Sequence, residues 1–420
     1  MDSTQFLTQS LQDMRIVEVL SAALDAVDPG AAVQRYLEAN PLPDASRVFA
    51  LGIGKAAVPM TQALAGLADL TRALIITKHA SVVDFERVMV MEGNHPVPGV
   101  ASLRAGREAL DFVSGLQPDD LLVCLISGGG SALMTDPIVL LAELQLLTSS
   151  LLACGARIDE MNTLRRRLDR VKGGGLARAT RAPILSLILS DVVGSPIEAI
   201  ASGPTAPDPT TREDAIVVLE KYNLQTPVLD VIRSALETPK PDDLIFERVR
   251  NVIVGDNALA ARAALVQAQR EGFETEYLGS GWQGEARQVG LELGRSLVSA
   301  AESKRTPFCM VAGGETTVTI RGSGTGGRNQ ELALAAVPVL AGLQNVMLIT
   351  LATDGEDGPT DAAGAVVTGE SMQRAITMGL EPEEYLERND SYAFFQKLGD
   401  SLRIGPTGTN VNDLVFLVGQ

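Results

Sequence analysis

Short apolar segments alternate with helical stretches along most of the chain, and that alternation constrains the fold more than any other feature of its 420 residues. VFALGIG (48–54) precedes the helical stretch KAAVPMTQALAGL (55–67), and ALIIT (73–77), RVMVME (87–92) and DLLVCLI (120–126) follow. PILSLILS (183–190) is a further strand, stopping at Asp191. The pattern restarts with VRNVIVGDN (249–257), a helix over about 258–271, ETEYLG (274–279), a second helix to about 303 and PFCMVAGG (307–314). TTVTI (316–320), a helix from about Arg328, VMLITLA (346–352) and DLVFLVG (413–419) complete it. Strands separated by helices predict an α/β protein whose parallel or mixed sheets carry helices on both faces.

Residues 3–40 read as two helices with Pro29-Gly30 between them, a packing arm ahead of the first strand. SGPTAPDPT (202–210) carries prolines at 204, 207 and 209, which a sheet interior excludes, and a polar helical stretch runs from it to TPKPDD (238–243). The chain is long enough for two or three full cores, and we place two domains at 1–240 and 241–420.

Lys and Arg number 35 against 52 Asp and Glu, a net charge of −17 that argues against nucleic acid as a partner. Any anionic ligand must meet a local cluster of cations. Cys124, Cys154 and Cys309 form no CxxC pair, so they read as small buried hydrophobes in a reducing compartment. With only His79 and His95, a histidine-rich metal site or a Ser-His-Asp relay has little to draw on, and catalysis must lean on Lys, Arg and carboxylates. The first residues lack a signal-peptide pattern, and no run reaches the roughly 18 apolar residues of a membrane span, so a cytoplasmic location is expected.

In an open α/β sheet, ligands bind beyond the carboxyl ends of the strands, where glycine lets backbone N–H groups approach an anion. Five loops fit that position. Gly52-Ile53-Gly54-Lys55 puts a cation where a helix begins, against the helix dipole, which points to an anion to be held. Ser127-Gly128-Gly129-Gly130-Ser131 can form a nest of N–H donors suited to phosphate oxygens. Lys172-Gly173-Gly174-Gly175 offers Lys172 to a phosphate or carboxylate, whereas Arg165, Arg166, Arg167 and Arg170 before it read as a solvated helix face. Gly322 to Gly327 formally matches GxGxxG but lacks the spaced acid of a dinucleotide site, and Arg328 beside it reads better as an anion clamp. The acids Asp354, Glu356, Asp357 and Asp361, and Asp191 at its strand end, are candidates to hold Mg²⁺ or to accept a hydroxyl proton. No Walker A motif and no protein-kinase signature is present.

Together these segments resemble the class II glycerate 2-kinases. The likeness rests on GIGKAA (52–57), NHPVPG (94–99), SGGGSAL (127–133), LDRVKGGGLA (168–177), SDVVGSPIEAIASGPTAPDPTT (190–211), GGETTVTIRGSGTGGRNQELAL (313–334), TDGEDGPTDAAGA (353–365) and GPTGTNVNDL (405–414). The resemblance implies a Rossmann-like N-terminal α/β domain followed by a C-terminal α/β MOFRL domain, with the active site in the cleft between them. It implies ATP-dependent phosphorylation of D-glycerate at the 2-hydroxyl, with Mg²⁺ as cofactor, by a monomer or homodimer. Relatives have also been described as hydroxypyruvate reductases, for which His95 is the one plausible acid.

The same resemblance implies Lys55 and Arg328 as catalytic and substrate-binding cations. On this reading Ser127 to Ser131, with Lys172 and Gly173, hold the nucleotide phosphates. Arg328, Asn329 and Asp354 join Lys55 in binding substrate. Asp191 is catalytic, and Asp191 or Asp354 lies near the metal. Ser195 departs from an acidic residue common in relatives, and Asp169 from a common serine.

Overall fold

The computed structural model describes residues 3–80, 83, 85–224, 227–305 and 307–420. It divides into two compact units, one of residues 29–254 and one of residues 1–28 with 255–420. The division differs from a cut at 240. The helix Met14–Asp25 buries Ile16, Val19, Leu20 and Ala23 and packs on the helix Asn257–Arg270, so the N-terminal segment belongs with the C-terminal unit. The helix Pro29–Ala39 packs instead on the helix Ala57–Leu67. The expected arm is therefore two helices in two different units.

In unit 29–254 the strands are β1 (Val48–Ile53), β2 (Leu70–Thr77), β3 (Val88–Glu92), β4 (Leu121–Ile126), β5 (Ile184–Leu189) and β6 (Val249–Gly255). Their order across the sheet is β3-β2-β1-β4-β5-β6, and β3, β2, β1, β4 and β5 pair in parallel. Alternate residues explain why both faces are covered. Phe49, Leu51, Ile53, Leu74 and Ile76 meet Ala105, Ala109 and Phe112 of the helix Val100–Ser114. Ile75 turns the other way, onto Ala57 and Val58. Strands β4 and β5 are buried throughout, which is why they read as apolar runs, broken in β5 only by Ser186, whose hydroxyl donates to Thr205 Oγ1 at 2.9 Å. The chain leaves β1 toward one side and returns at β4 on the other, so the loops after β1 and β4 meet at the point where strand order reverses, the usual ligand position of such sheets.

A helical lobe hangs on this sheet. Leu144, Leu147 and Leu151 pack with Met161, Leu164 and Leu168 and with Val218 and Ile232. Full burial of side chains of this size stabilises by about 1.5–3 kcal/mol each, so the helix Ile158–Arg167 is pinned along one side. Its arginines do not form the expected solvated face: Arg166 and Arg167 are 4% and 3% exposed. Arg166 Nε donates to Asp208 at 2.8 Å, and Arg167 donates to Glu237 at 2.7 Å.

Glu237 also pairs with Lys240 at 3.0 Å and accepts from the Arg212 N–H at 3.1 Å. Burial pushes its carboxyl up, but these partners outweigh burial and hold it at about 2, below the ordinary 4.5. A depressed carboxylate contributes stability above its ordinary value that is lost as pH falls through the folded value. The stability difference between the wild type and Glu237→Gln should therefore narrow as pH drops from about 5 to about 2, read from denaturation midpoints. A gap that stays constant across that window would show that the ionisation of Glu237 adds nothing.

In the other unit the strands are β7 (Glu274–Tyr277), β8 (Trp282–Glu285), β9 (Phe308–Thr317), β10 (Val346–Ala352), β11 (Gly364–Thr368), β12 (Ser401–Leu402) and β13 (Asp413–Gly419). The order is β12-β11-β10-β13-β9-β7, with β8 also on β9; β7 and β8 run parallel to β9 and the other pairs are antiparallel. Helices Ala286–Ser303 and Arg328–Leu340 cover one face over Phe308, Met310, Leu348, Val415 and Leu417. PFCMVAGG and the start of TTVTI, read as separate segments, are one continuous strand. Gly313 and Gly314 lie inside it because a Cβ there would fall 1.7 Å from Asn257 Oδ1 and 1.9 Å from the Trp282 carbonyl. Strands β8 (WQGE), β11 (GAVVT) and β12 (SL) escape the sequence reading: β8 has no apolar run, β12 is two residues long, and β11 follows the glycine-rich acidic turn directly. Cys124 and Cys309 are buried as expected, but Cys154 is exposed at the end of its helix.

Candidate active site

The loops after β1 and β4 are bonded to each other through their backbones. Lys55 N–H donates to the Gly128 carbonyl at 2.9 Å, Ser127 N–H to the Ile53 carbonyl at 2.8 Å, and Ala56 N–H to Ser127 Oγ at 3.0 Å. The Ser127 hydroxyl is thus a brace, buried and already engaged. Gly54, at φ +119, lies so close to Ser127 that a Cβ would meet its carbonyl at 2.4 Å. The expectation that Gly54 serves a close backbone approach is met by protein.

Gly129 is left-handed at φ +85, which turns the following N–H groups to one side. Among the described residues, the N–H groups of Gly128, Gly129, Gly130 and Ser131 donate to no protein acceptor. Such a row of open donors suits phosphate oxygens. Asp191 packs directly on this loop, since a Cβ on Gly128 would lie 2.1 Å from its Oδ2. Burial raises its carboxyl pKa, and the Lys55 charge acts in the opposite direction. His95 stands on the other side, 3.3 Å from where a Gly129 Cβ would be, and Lys55 Cγ is 3.4 Å from the same point. Burial first, then the charges of Lys55 and Lys78, lowers the His95 pKa below its ordinary 6.5, so the ring is neutral at neutral pH. Lys55 itself is exposed and forms no ion pair among the described residues.

Lys172 and Gly173 differ from expectation. Lys172, 3% exposed, gives its ammonium to Asp169 and to Thr135 Oγ1, the latter at 3.2 Å. Asp169, the departure from a common serine, is therefore the counter-ion of Lys172. Gly173 N–H donates to the Ser202 carbonyl at 3.0 Å and Gly174 N–H to the Gly203 carbonyl at 2.8 Å, so these two donors anchor the 202–203 loop.

In the other unit the Gly322–Gly327 loop is a packing device. Cβ atoms at Gly322 and Gly324 would strike the Arg388 backbone and Asp390, and one at Gly327 would strike Asp357. Asp357 accepts from Asn329 N–H at 3.0 Å, Gln330 N–H at 2.8 Å and Gln330 Nε2 at 3.0 Å, closing the helix that begins at Arg328. Asn329, expected to touch substrate, is 1% exposed and spent on this cap. Arg328 is held bidentately by Asp413 and again by Glu315 at 3.2 Å. Its clamp is already filled by carboxylates of its own unit. Asp354 accepts from the Glu356 N–H at 3.3 Å within its turn. Among the described residues no three His, Cys, Asp or Glu side chains group as a metal cage, and no helix is long and apolar enough to cross a membrane.

Sequence reasoning missed Arg165. With Lys172, Asp169, His95 and Ser131 it lines a cavity of about 140 Å³ beside the Gly128–Ser131 donors. The only sequence signal was its place in the arginine run, which does not say which arginines are buried.

These features define a class: a doubly wound α/β unit with a row of open N–H donors at its switch point, joined to a mixed-sheet α/β unit. Residues 15–237 match a domain of unknown function, DUF4147, and residues 308–413 match the MOFRL family. The chain is 39% identical to a D-glycerate 2-kinase of Thermotoga maritima, over 98% of this chain and 99% of that one. It is also 39% identical to a glycerate 2-kinase of Pyrococcus horikoshii, over 89% of this chain and 87% of that one. A crystal structure of the Thermotoga maritima glycerate kinase superposes with a TM-score of 0.91 at 38% identity, covering 97% of this chain and 99% of that one. The chain belongs to the class II glycerate 2-kinase family.

Proposed function

We propose that this protein transfers the γ-phosphoryl group of ATP to the 2-hydroxyl of D-glycerate, giving 2-phosphoglycerate and ADP. The observation that carries the reading is the junction of the loops after β1 and β4, where Lys55, Asp191 and four open N–H donors meet, in a chain matched nearly end to end by glycerate 2-kinases. Phosphoryl transfer asks for positioning and charge neutralisation more than covalent chemistry. The Gly128–Ser131 donors hold phosphate oxygens, and the Lys55 ammonium neutralises charge on the group in transit. Burial raises the proton affinity of Asp191, and its carboxylate, in the ionised form, takes the hydroxyl proton as the 2-oxygen attacks and ADP departs.

Mg²⁺ usually takes one or two carboxylates and completes its shell with phosphates and water. The donor set fits that pattern: Asp191 is a carboxylate packed on the cradle, and among the described residues no group of three ligands forms a cage around it. Bound there, the ion would neutralise nucleotide charge.

Incubation with D-glycerate and MgATP, with the product identified by ³¹P NMR, should yield 2-phosphoglycerate and equimolar ADP. NADH oxidation with hydroxypyruvate and no ADP release in the paired assay would replace the kinase reading with a reductase. The 3-phosphate as product would overturn the regiochemistry.

A further inference from the structure

We propose that the cavity beside Arg165 is the seat of the three-carbon acid, and that Arg165, not Arg328, grips its carboxylate. The proposal rests on the kinase reading for the identity of the acid; the chemistry of the cavity stands on its own.

The charges lining the cavity do not balance. Lys172 and Asp169 neutralise each other, and the His95 ring is neutral. That leaves the Arg165 guanidinium as a surplus positive charge. Its neighbours in the run are all matched: Arg166 with Asp208, Arg167 with Glu237, Arg170 with Asp136 at 3.0 Å. Arg165 forms no ion pair among the described residues, and its one side-chain hydrogen bond reaches Asn162 Oδ1 at 3.5 Å, the limit of such a contact. Burial weakens its hold on its proton. A cation withdrawn from water without a partner is costly unless a ligand supplies one, and guanidinium is shaped to take a carboxylate through two parallel hydrogen bonds. Arg328 differs, since Asp413 and Glu315 already neutralise its charge and Asp413 takes one bidentate edge of its guanidinium.

Size selects the ligand. A cavity of about 150 Å³ is known to take benzene, whereas pockets for larger ligands run from about 300 Å³ upward. About 140 Å³ therefore suits a three-carbon acid better than a whole nucleotide. Polar groups are also in place. The Ser131 hydroxyl, paired with Ser202 Oγ at 2.7 Å, faces an apolar wall formed by Pro96, Ala132 and Leu144. Gly129 lines the same cavity, and the point where its Cβ would stand is 3.3 Å from the His95 ring and 3.4 Å from Lys55 Cγ, which places the Lys55 stem at the cavity's Gly129 edge. An acid held by Arg165 thus has its hydroxyl end on the side of Lys55 and the phosphate cradle.

The test compares wild type, Arg165→Ala, Arg165→Lys and Arg328→Ala with D-glycerate and with uncharged D-glyceramide, after thermal melts confirm that each variant folds. Arg165→Ala should raise KM for D-glycerate by about 10²-fold, the size of a lost charged hydrogen bond, with KM for ATP within about twofold of wild type. Lysine should restore part of that loss, because it gives up bidentate geometry. Wild type should prefer D-glycerate to D-glyceramide strongly, and Arg165→Ala should treat them nearly alike. A rise confined to KM for ATP would assign the cavity to the nucleotide, and unchanged constants would make Arg165 structural; either overturns the proposal. So would a preference for the acid lost only in Arg328→Ala. Calorimetric binding of D-glycerate, without ATP, separates the two readings. Binding lost on Arg165→Ala supports the site even if wild type forms no 2-phosphoglycerate, and wild-type binding unaffected by the substitution refutes it even if turnover is normal.

Discussion

Lys55→Ala is expected to lower kcat by about 10²- to 10³-fold, the usual effect of removing one preorganised electrostatic donor, while the protein stays folded. The two halves of that expectation come from different atoms. The Lys55 backbone N–H, bonded to the Gly128 carbonyl at 2.9 Å, holds the two loops together and is untouched by the substitution. The ammonium is exposed and pairs with no carboxylate among the described residues, so removing it breaks no internal ion pair. It also sits just before the helix Ala57–Leu67, where a cation opposes the helix dipole by about 0.3–1 kcal/mol. The melting temperature should accordingly hold or rise slightly. Turnover within a few-fold of wild type would remove Lys55 from the mechanism, and a large drop in melting temperature would show that its side chain packs rather than acts.

Asp208→Ala should be the most destabilising single substitution in the unit of residues 29–254, at about 3–5 kcal/mol, the range for breaking one side of a buried ion pair. Asp208 is fully buried and Arg166 is 5% exposed at its side chain. Besides Arg166, the carboxylate takes Thr210 N–H at 3.0 Å, Thr210 Oγ1 at 2.7 Å and Thr238 Oγ1 at 2.8 Å, so its loss leaves several donors and one charge unanswered. In a unit of this size the melting temperature should fall by roughly 10 °C. Pairing the substitution with Arg166→Met should recover part of the loss, because it removes the lone buried charge while the Thr210 and Thr238 donors stay without Asp208. A loss below about 1 kcal/mol for Asp208→Ala alone, or no recovery in the double variant, would contradict this account of the proline-rich 202–210 segment.

Much of the fold was legible because its signals are local. Apolar runs of the right length mark β1, β2, β4, β5, β10 and β13, because a strand buried on both faces is built mostly of apolar residues. The cradle was legible for the same reason: Ser127 to Ser131 and Lys55 follow their strands directly, and strand order alone brings the two loops together. Glycine was the ambiguous letter. In Gly128–Gly130 it leaves N–H donors open, but in Gly173–Gly174 and Gly322–Gly327 it lets protein pack on protein. The residue that would collide with a side chain is far away in sequence, so the two uses look alike in the chain.

What the amino-acid order settled by itself was the run of secondary elements, two α/β sheets and the glycine-built junction beyond β1 and β4, since each depends on neighbours a few residues apart. Only tertiary structure decided which charges are spoken for. Arg166 finds Asp208 42 residues on, Arg167 finds Glu237 70 residues on, and Arg328 finds Asp413 85 residues on, while Arg165 finds no carboxylate among the described residues. A charge near an anion site acts on the ligand only to the extent that the protein has left it unneutralised, and folding brings the neutralising partners from distant parts of the chain.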